Sequence, residues 1–173
     1  MYALWLTPDK ASNETLSALI KTLSNKFSSP VFEPHVTLLG KIRSINNSDL
    51  EKNTLALARQ LTPIKASSSR VDCEDTFYKS LFLEIDHSKA LNQANRMAEK
   101  MFELDGDFQW KPHLSLLYGE QSKQDKEKAI DNFLPHKAFH MELNTLQLIY
   151  GFGLPEEWRV IMSIDLGDHT AQV

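Results

Sequence analysis

Pro34-His35-Val36-Thr37-Leu38-Leu39 returns, 78 residues further on, as Pro112-His113-Leu114-Ser115-Leu116-Leu117. Each copy holds a proline, a histidine, a hydroxyl residue two positions on and a leucine pair. On an extended strand, residues i and i+2 share a face. Each copy therefore presents one imidazole and one hydroxyl to one side, and turns Val36 and Leu38, or Leu114 and Leu116, into packing. Two such strands facing a common space supply two proton-transfer groups and two hydrogen-bond donors. That inventory suits phosphoester chemistry without a metal.

The bare pattern His-x-Ser/Thr carries little weight alone. With 15 Ser, 9 Thr and six His in 173 residues, chance supplies ~0.8 occurrences. The shared proline and leucines sharpen the signal, because the whole chain has only seven prolines. So does the context. Ala3-Leu4-Trp5-Leu6-Thr7 precedes Leu81-Phe82-Leu83-Glu84-Ile85 by the same 78 residues, and both read as short apolar strands. Ser12 is placed to cap a helix with Leu16, Leu19, Ile20 and Leu23 on one face; Ser88 to cap one with Leu91, Ala94, Ala98 and Met101. Charge-rich helices are expected over 48–61 and 122–134, followed by strands over 64–73 and 139–150. The order strand, helix, motif strand, helix, strand occurs twice, as an internal duplication would produce.

The motifs resemble those of the 2H phosphoesterases, named for two His-x-Thr/Ser motifs on a pseudo-twofold pair of lobes. The resemblance narrows to the cyclic phosphodiesterases that open ADP-ribose 1″,2″-cyclic phosphate after tRNA splicing. It is carried by Leu4-Trp5-Leu6-Thr7-Pro8, Phe32-Glu33-Pro34-His35-Val36-Thr37, Asp75-Thr76-Phe77-Tyr78-Lys79-Ser80-Leu81-Phe82-Leu83 and Lys111-Pro112-His113-Leu114-Ser115-Leu116-Leu117-Tyr118. The likeness covers the chain from near residue 2 to near Trp158. Two features depart from the family. Plant members can carry several cysteines where this chain has one, so no redox switch is inherited, and the strand over 64–73 is unusually serine-rich.

The chain's 173 residues fit one bilobal domain spanning 1–173. Its net charge of −4 argues against a sequence-independent duplex binder, which needs a basic surface to replace counterions. The single Cys73 excludes an internal disulfide and fits a reducing, cytoplasmic setting; no motif around it marks a nucleophile. Neither a signal peptide nor a membrane span is expected, and the tail from Gly167 to Val173 is expected to fray. Six glycines form no phosphate-cradling loop, which argues against nucleotide-triphosphate chemistry. His136 and His140 lack a third ligand at a familiar spacing, and the run from Lys123 to Asp131 reads as a solvated helix face. No cofactor is expected.

Opening a cyclic phosphate needs one group to take a proton from an in-line water and another to protonate the leaving sugar oxygen. Histidine suits both tasks near neutral pH. His35 and His113 are the expected acid–base pair, and Thr37 and Ser115 the donors to the non-bridging oxygens. The resemblance implies His113 as base and His35 as acid, and places Tyr118 and Trp5 at the substrate. Strand alternation would turn Tyr118 away from Ser115's face unless the chain bends, which Gly119 allows. Phe77, Tyr78 and Trp158 read as packing residues that could also stack on a base. The expected fold is α+β, with two pseudo-twofold lobes, each a mainly antiparallel sheet with flanking helices, and the cleft between the sheets. The expected reaction is metal-independent hydrolysis of a cyclic nucleotide or ADP-ribose cyclic phosphate by a monomer. Short RNA ends are a further substrate, as for an RNA 2′,3′-cyclic or 2′-5′ oligoadenylate phosphodiesterase. A non-catalytic nucleotide-binding module would keep such a cleft without needing both histidines.

Turnover is therefore expected to survive exhaustive dialysis against EDTA with metal content verified. Loss of activity restored by Zn²⁺ or Mn²⁺ would replace the two-histidine scheme with metal hydrolysis.

Overall fold

The repeated order of strands and helices is present twice in a computed structural model describing residues 1–43, 46–104, 110–133, 138–151 and 153–167. The first half runs β1 (Tyr2–Pro8), α1 (Lys10–Phe27), β2 (Val36–Ile42), α2 (Asn47–Ala58), β3 (Ile64–Ser68) and β4 (Arg70–Cys73). The second runs β5 (Leu81–Glu84), α3 (Lys89–Met101), β6 (His113–Leu117), α4 (Lys123–Phe133), β7 (Phe139–Tyr150) and β8 (Arg159–Asp165). The pairing order is β3-β7-β1-β2-β6-β5-β4, with β8 alongside β7. Every pairing is antiparallel. The two sheets expected as lobes are joined at one rung, Val36 opposite Leu114, where β2 meets β6.

The serine-rich stretch 64–73 is two strands rather than one. β3 pairs with the start of β7, and β4 pairs with β5 in the other half, so the chain changes sheets at Ser69. Ser68 donates across the break to the Arg70 carbonyl (3.1 Å), while Ser67 and Ser69 donate to the Asp86 carboxylate (2.7 and 3.1 Å). These short hydroxyls occupy polar groups at the place where ladder pairing is interrupted.

Alternation sorts each central strand into two faces. Leu4 and Leu6, Val36 and Leu38, and Leu114 and Leu116 are fully buried against helices. Each such leucine is worth roughly 1.5–3 kcal/mol of apolar burial. α1 packs on β6 and α3 on β2, so each half's helix backs the other half's motif strand. A buried Asn95 amide fixes the second contact by donating to the Leu38 carbonyl (2.9 Å). The opposite face, with His35 and Thr37 and with His113 and Ser115, is left to the cleft.

Ser88 caps α3 as expected, accepting from the Leu91 amide (3.1 Å). α1 departs from expectation: its cap is Asp9, and Ser12 lies inside the helix. The Asp9 carboxylate accepts from the Ser12 amide and hydroxyl, and also from the Glu142 amide of β7 (3.0 Å), a third bond that Ser12 could not offer as a cap. α4 departs too. Lys126, within the supposedly solvated run, is only 2% exposed and donates to the Glu74 carbonyl (2.8 Å) and the Asp75 carboxylate (2.7 Å). It thereby holds the loop between β4 and β5. No helix among the described residues is long and apolar enough to cross a membrane. His136 and residues 168–173 of the tail lie outside the described residues.

Asp9→Ala is expected to cost ~1–2 kcal/mol in urea unfolding at pH 7, through loss of the cap. The backbone bond from Glu142 is the main cause holding the Asp9 carboxyl below its ordinary value of 3.8. The stabilisation is thus present above that value and lost as pH falls below it, so variant and parent should converge in acid.

Candidate active site

All six residues singled out from the sequence, Trp5, His35, Thr37, His113, Ser115 and Tyr118, line one cavity of about 320 Å³. The rung between Val36 and Leu114 explains their convergence. Antiparallel pairing about that rung sets His35 towards Ser115 and Thr37 towards His113, with a pseudo-twofold axis through the rung.

The two histidines are held by the same device. His35 Nδ1 lies 2.7 Å from the Glu33 carbonyl, and His113 Nδ1 lies 3.0 Å from the Lys111 carbonyl, each two residues upstream. A carbonyl only accepts, so Nδ1 carries the hydrogen in both rings. Nε2 is then the nitrogen left to exchange a proton. The proline between the histidine and that carbonyl, Pro34 or Pro112, keeps this turn extended.

Their surroundings differ. His35 is buried and stacks face to face on Trp5, with centroids 3.6 Å apart and planes 8° apart. Trp158 meets both rings edge-on. Desolvation is the main cause that lowers the His35 pKa to about 4; the Glu33 carbonyl opposes it and His113 adds to it. His113 is half-buried beside Phe82, and burial lowers its pKa as well. Lys79 lowers it further, while the Lys111 carbonyl and Glu74 pull upward.

The hydroxyls differ too. Among the described residues the Thr37 hydroxyl has no partner, whereas Ser115 donates to the Tyr78 carbonyl (2.9 Å). Burial pushes the Tyr118 pKa far above its ordinary value, with Ser115 opposing the rise, so the phenol stays neutral. Tyr118 reaches the cleft because β6 ends at Leu117 and Gly119 takes φ +118°, the bend that alternation required. Its ring stacks on Phe32, with centroids 3.7 Å apart.

Tyr78 and Trp158 line the cavity, while Phe77 packs partly against the core. The Tyr78 hydroxyl (2.8 Å) and Trp158 Nε1 (3.1 Å) both donate to the Gly153 carbonyl, tying the two sides of the cleft mouth together. Trp5 has one face covered by His35, so it is a support for that imidazole more than an open stacking platform. Lys41 lines the same cavity, and nothing in its sequence setting marked it. Cys73 ends β4 half-buried, outside the cavity lining. Among the described residues no three His, Cys, Asp or Glu side chains converge as a metal centre would require.

The family described as cyclic phosphodiesterase-like protein matches residues 1–166. The chain belongs to that family. Over 130 residues it is 28% identical to a cyclic phosphodiesterase of Arabidopsis thaliana, covering 75% of this chain and 71% of the relative. Over 145 residues it is 30% identical to a 2′,3′-cyclic-nucleotide 3′-phosphodiesterase of Kluyveromyces lactis, covering 72% and 67%. The fold is shared with solved structures. TT0787 of Thermus thermophilus has a TM-score of 0.60 at 16% identity, over 97% of this chain and 99% of that one. LigT of E. coli, solved with 3′-AMP, has a TM-score of 0.60 at 9% identity, over 96% and 98%. The 2H phosphoesterase assignment drawn from the motifs therefore stands, and the enzyme is a cyclic phosphodiesterase.

In the free enzyme the Cε1–H resonance of His35 should not titrate between pH 5.5 and 8, because burial keeps the ring neutral. Trp5→Ala admits water to the ring, and the NMR titration midpoint should rise towards the ordinary ~6.5.

Proposed function

We propose that the enzyme hydrolyses the cyclic phosphate of a ribose, in ADP-ribose 1″,2″-cyclic phosphate and in 2′,3′-cyclic nucleotides, with His35 and His113 as its proton-transfer pair. The observation that carries the reading is the twofold arrangement of imidazoles, each with Nδ1 fixed on a carbonyl and Nε2 free, around one cavity. In this reading His113 takes the proton of the attacking water, and His35 gives one to the leaving sugar oxygen. Thr37 offers to a non-bridging oxygen a hydroxyl that has no partner among the described residues. Ser115 offers a second by turning from the Tyr78 carbonyl. These donors stabilise charge as the five-coordinate phosphorus forms. The names of the Arabidopsis and Kluyveromyces relatives support this substrate class.

The acid form of His35 has to be created by the substrate. An anionic phosphate against the ring raises its pKa, and the face of Trp5 favours the cation. In the free enzyme both imidazoles have lowered pKa values. The kcat/KM profile, which reads the free enzyme, should therefore be bell-shaped and peak on the acid side of ~6.5, falling as pH rises because the protonated fraction falls.

His35→Ala and His113→Ala are each expected to lower kcat by ~10²–10⁴ in a folded protein, with a modest change in KM. Hydrolysis should yield one isomer, the 2′-phosphate from a 2′,3′-cyclic nucleotide and the 1″-phosphate from the ADP-ribose compound, as read by phosphorus NMR. Near-full turnover by either variant would end the two-histidine scheme. A clean 3′-phosphate would reverse which sugar oxygen faces the acid.

A further inference from the structure

Lys41 stands where a lysine is unusual. Between Tyr2 opposite Ile42 and Leu4 opposite Leu39, β2 carries one residue more than β1. This bulge places Lys41 at φ +59°, beside Gly40. The left-handed region disfavours side chains, and glycine is its low-strain occupant. Bulges next to binding clefts re-aim side chains, and here the side chain brought to the cavity is Lys41.

Three further observations set its environment. Among the described side chains lining the cavity, Lys41 alone carries a formal charge at neutral pH; the rest are aromatic, apolar, hydroxyl or neutral imidazole. Among the described residues its ammonium has no carboxylate partner. Ala3, on the same face of β1 as Trp5, lines the same cavity and presents only a methyl group to it.

With the two bulges between Ile42 and Thr37 discounted, Lys41 lies about 7 Å along β2 from Thr37, at roughly 3.3 Å per residue. Its flexible four-carbon stem lets the ammonium adjust within that span. The span is on the scale of a ribose ring, measured from a phosphate bridging its hydroxyl edge to a phosphate on its 5-oxygen. We infer that Lys41 binds a second phosphate, the one on the 5-oxygen of the same ribose whose cyclic phosphate lies against His35 and His113. The preferred substrates are then ribose cyclic phosphates that carry a 5-phosphate or 5-diphosphate, over cyclic nucleosides that lack one. This rests on the proposed placement of the cyclic phosphate, and it adds the specificity for the far end of the ribose.

The test is binding rather than turnover, so it does not depend on the catalytic assignment. Affinities of adenosine 2′-phosphate and adenosine 2′,5′-bisphosphate are measured by calorimetry for the parent, Lys41→Met, Lys41→Arg and Lys41→Glu. The pair differs only in the 5′-phosphate. The parent should prefer the bisphosphate by about ten- to a hundredfold, the range of a hydrogen-bonded charge pair. Lys41→Met should lose most of that preference, Lys41→Arg keep it and Lys41→Glu reverse it. A preference absent from the parent, or retained in Lys41→Met, would overturn the assignment while leaving the site reading intact. Failure of both ligands to bind the parent would overturn both.

Discussion

The rung between Val36 and Leu114 is the constraint on which the site depends. Two fully buried apolar residues meet where two sheets touch, and each is flanked on the open face by an imidazole and a hydroxyl. Because the pairing is antiparallel, the two copies of one motif arrive related by a twofold turn, histidine towards hydroxyl and hydroxyl towards histidine. A slip of one residue in either strand would send its histidine into the core and a leucine into the cleft. The crossed packing of α1 on β6 and α3 on β2 opposes such a slip, because each helix is keyed to the other half's strand.

Symmetry of backbone does not give symmetry of chemistry. The two imidazoles share a tautomer but not an environment: one is sealed on Trp5, the other sits half-open beside Phe82 and the Lys79–Glu74 pair at 2.6 Å. Desolvation is the means by which this fold makes the two imidazoles unlike, and the proposed in-line displacement would use that difference, one ring giving a proton and the other taking one. The hydroxyls follow the same division, with Thr37 unpartnered among the described residues and Ser115 donating to the Tyr78 carbonyl.

The loop between β4 and β5 brings part of the packing interior into the site. Lys126 reaches from α4 to fix Glu74 and Asp75, and three residues later Tyr78 lines the cleft and ties its hydroxyl to Gly153. A lysine with its stem buried and its ammonium satisfied is costly to disturb, because removing its partners leaves a charge without water. The cleft mouth thus takes its shape from a group far from the reacting atoms.

Much was legible in the sequence because it was local or repeated. The histidine and hydroxyl at i and i+2, the leucines between them and the doubled order of elements follow from strand geometry and apolar periodicity. So does the Ser88 cap. The pairing of the motifs in one site was legible because the same string occurs twice. What the sequence left open depends on residues distant along the chain. Asp9 replaces Ser12 as the cap because Glu142, on β7, adds a bond. The stretch 64–73 divides because its two ends find partners in different sheets. Lys126 and Lys41 look like any surface lysines, since hydropathy records neither a buried ammonium nor a backbone turned to positive φ. Local rules decide which face a side chain takes; only the tertiary structure decides what that face meets, because partner, solvent exclusion and bulge are set by strands brought together from opposite ends of the chain.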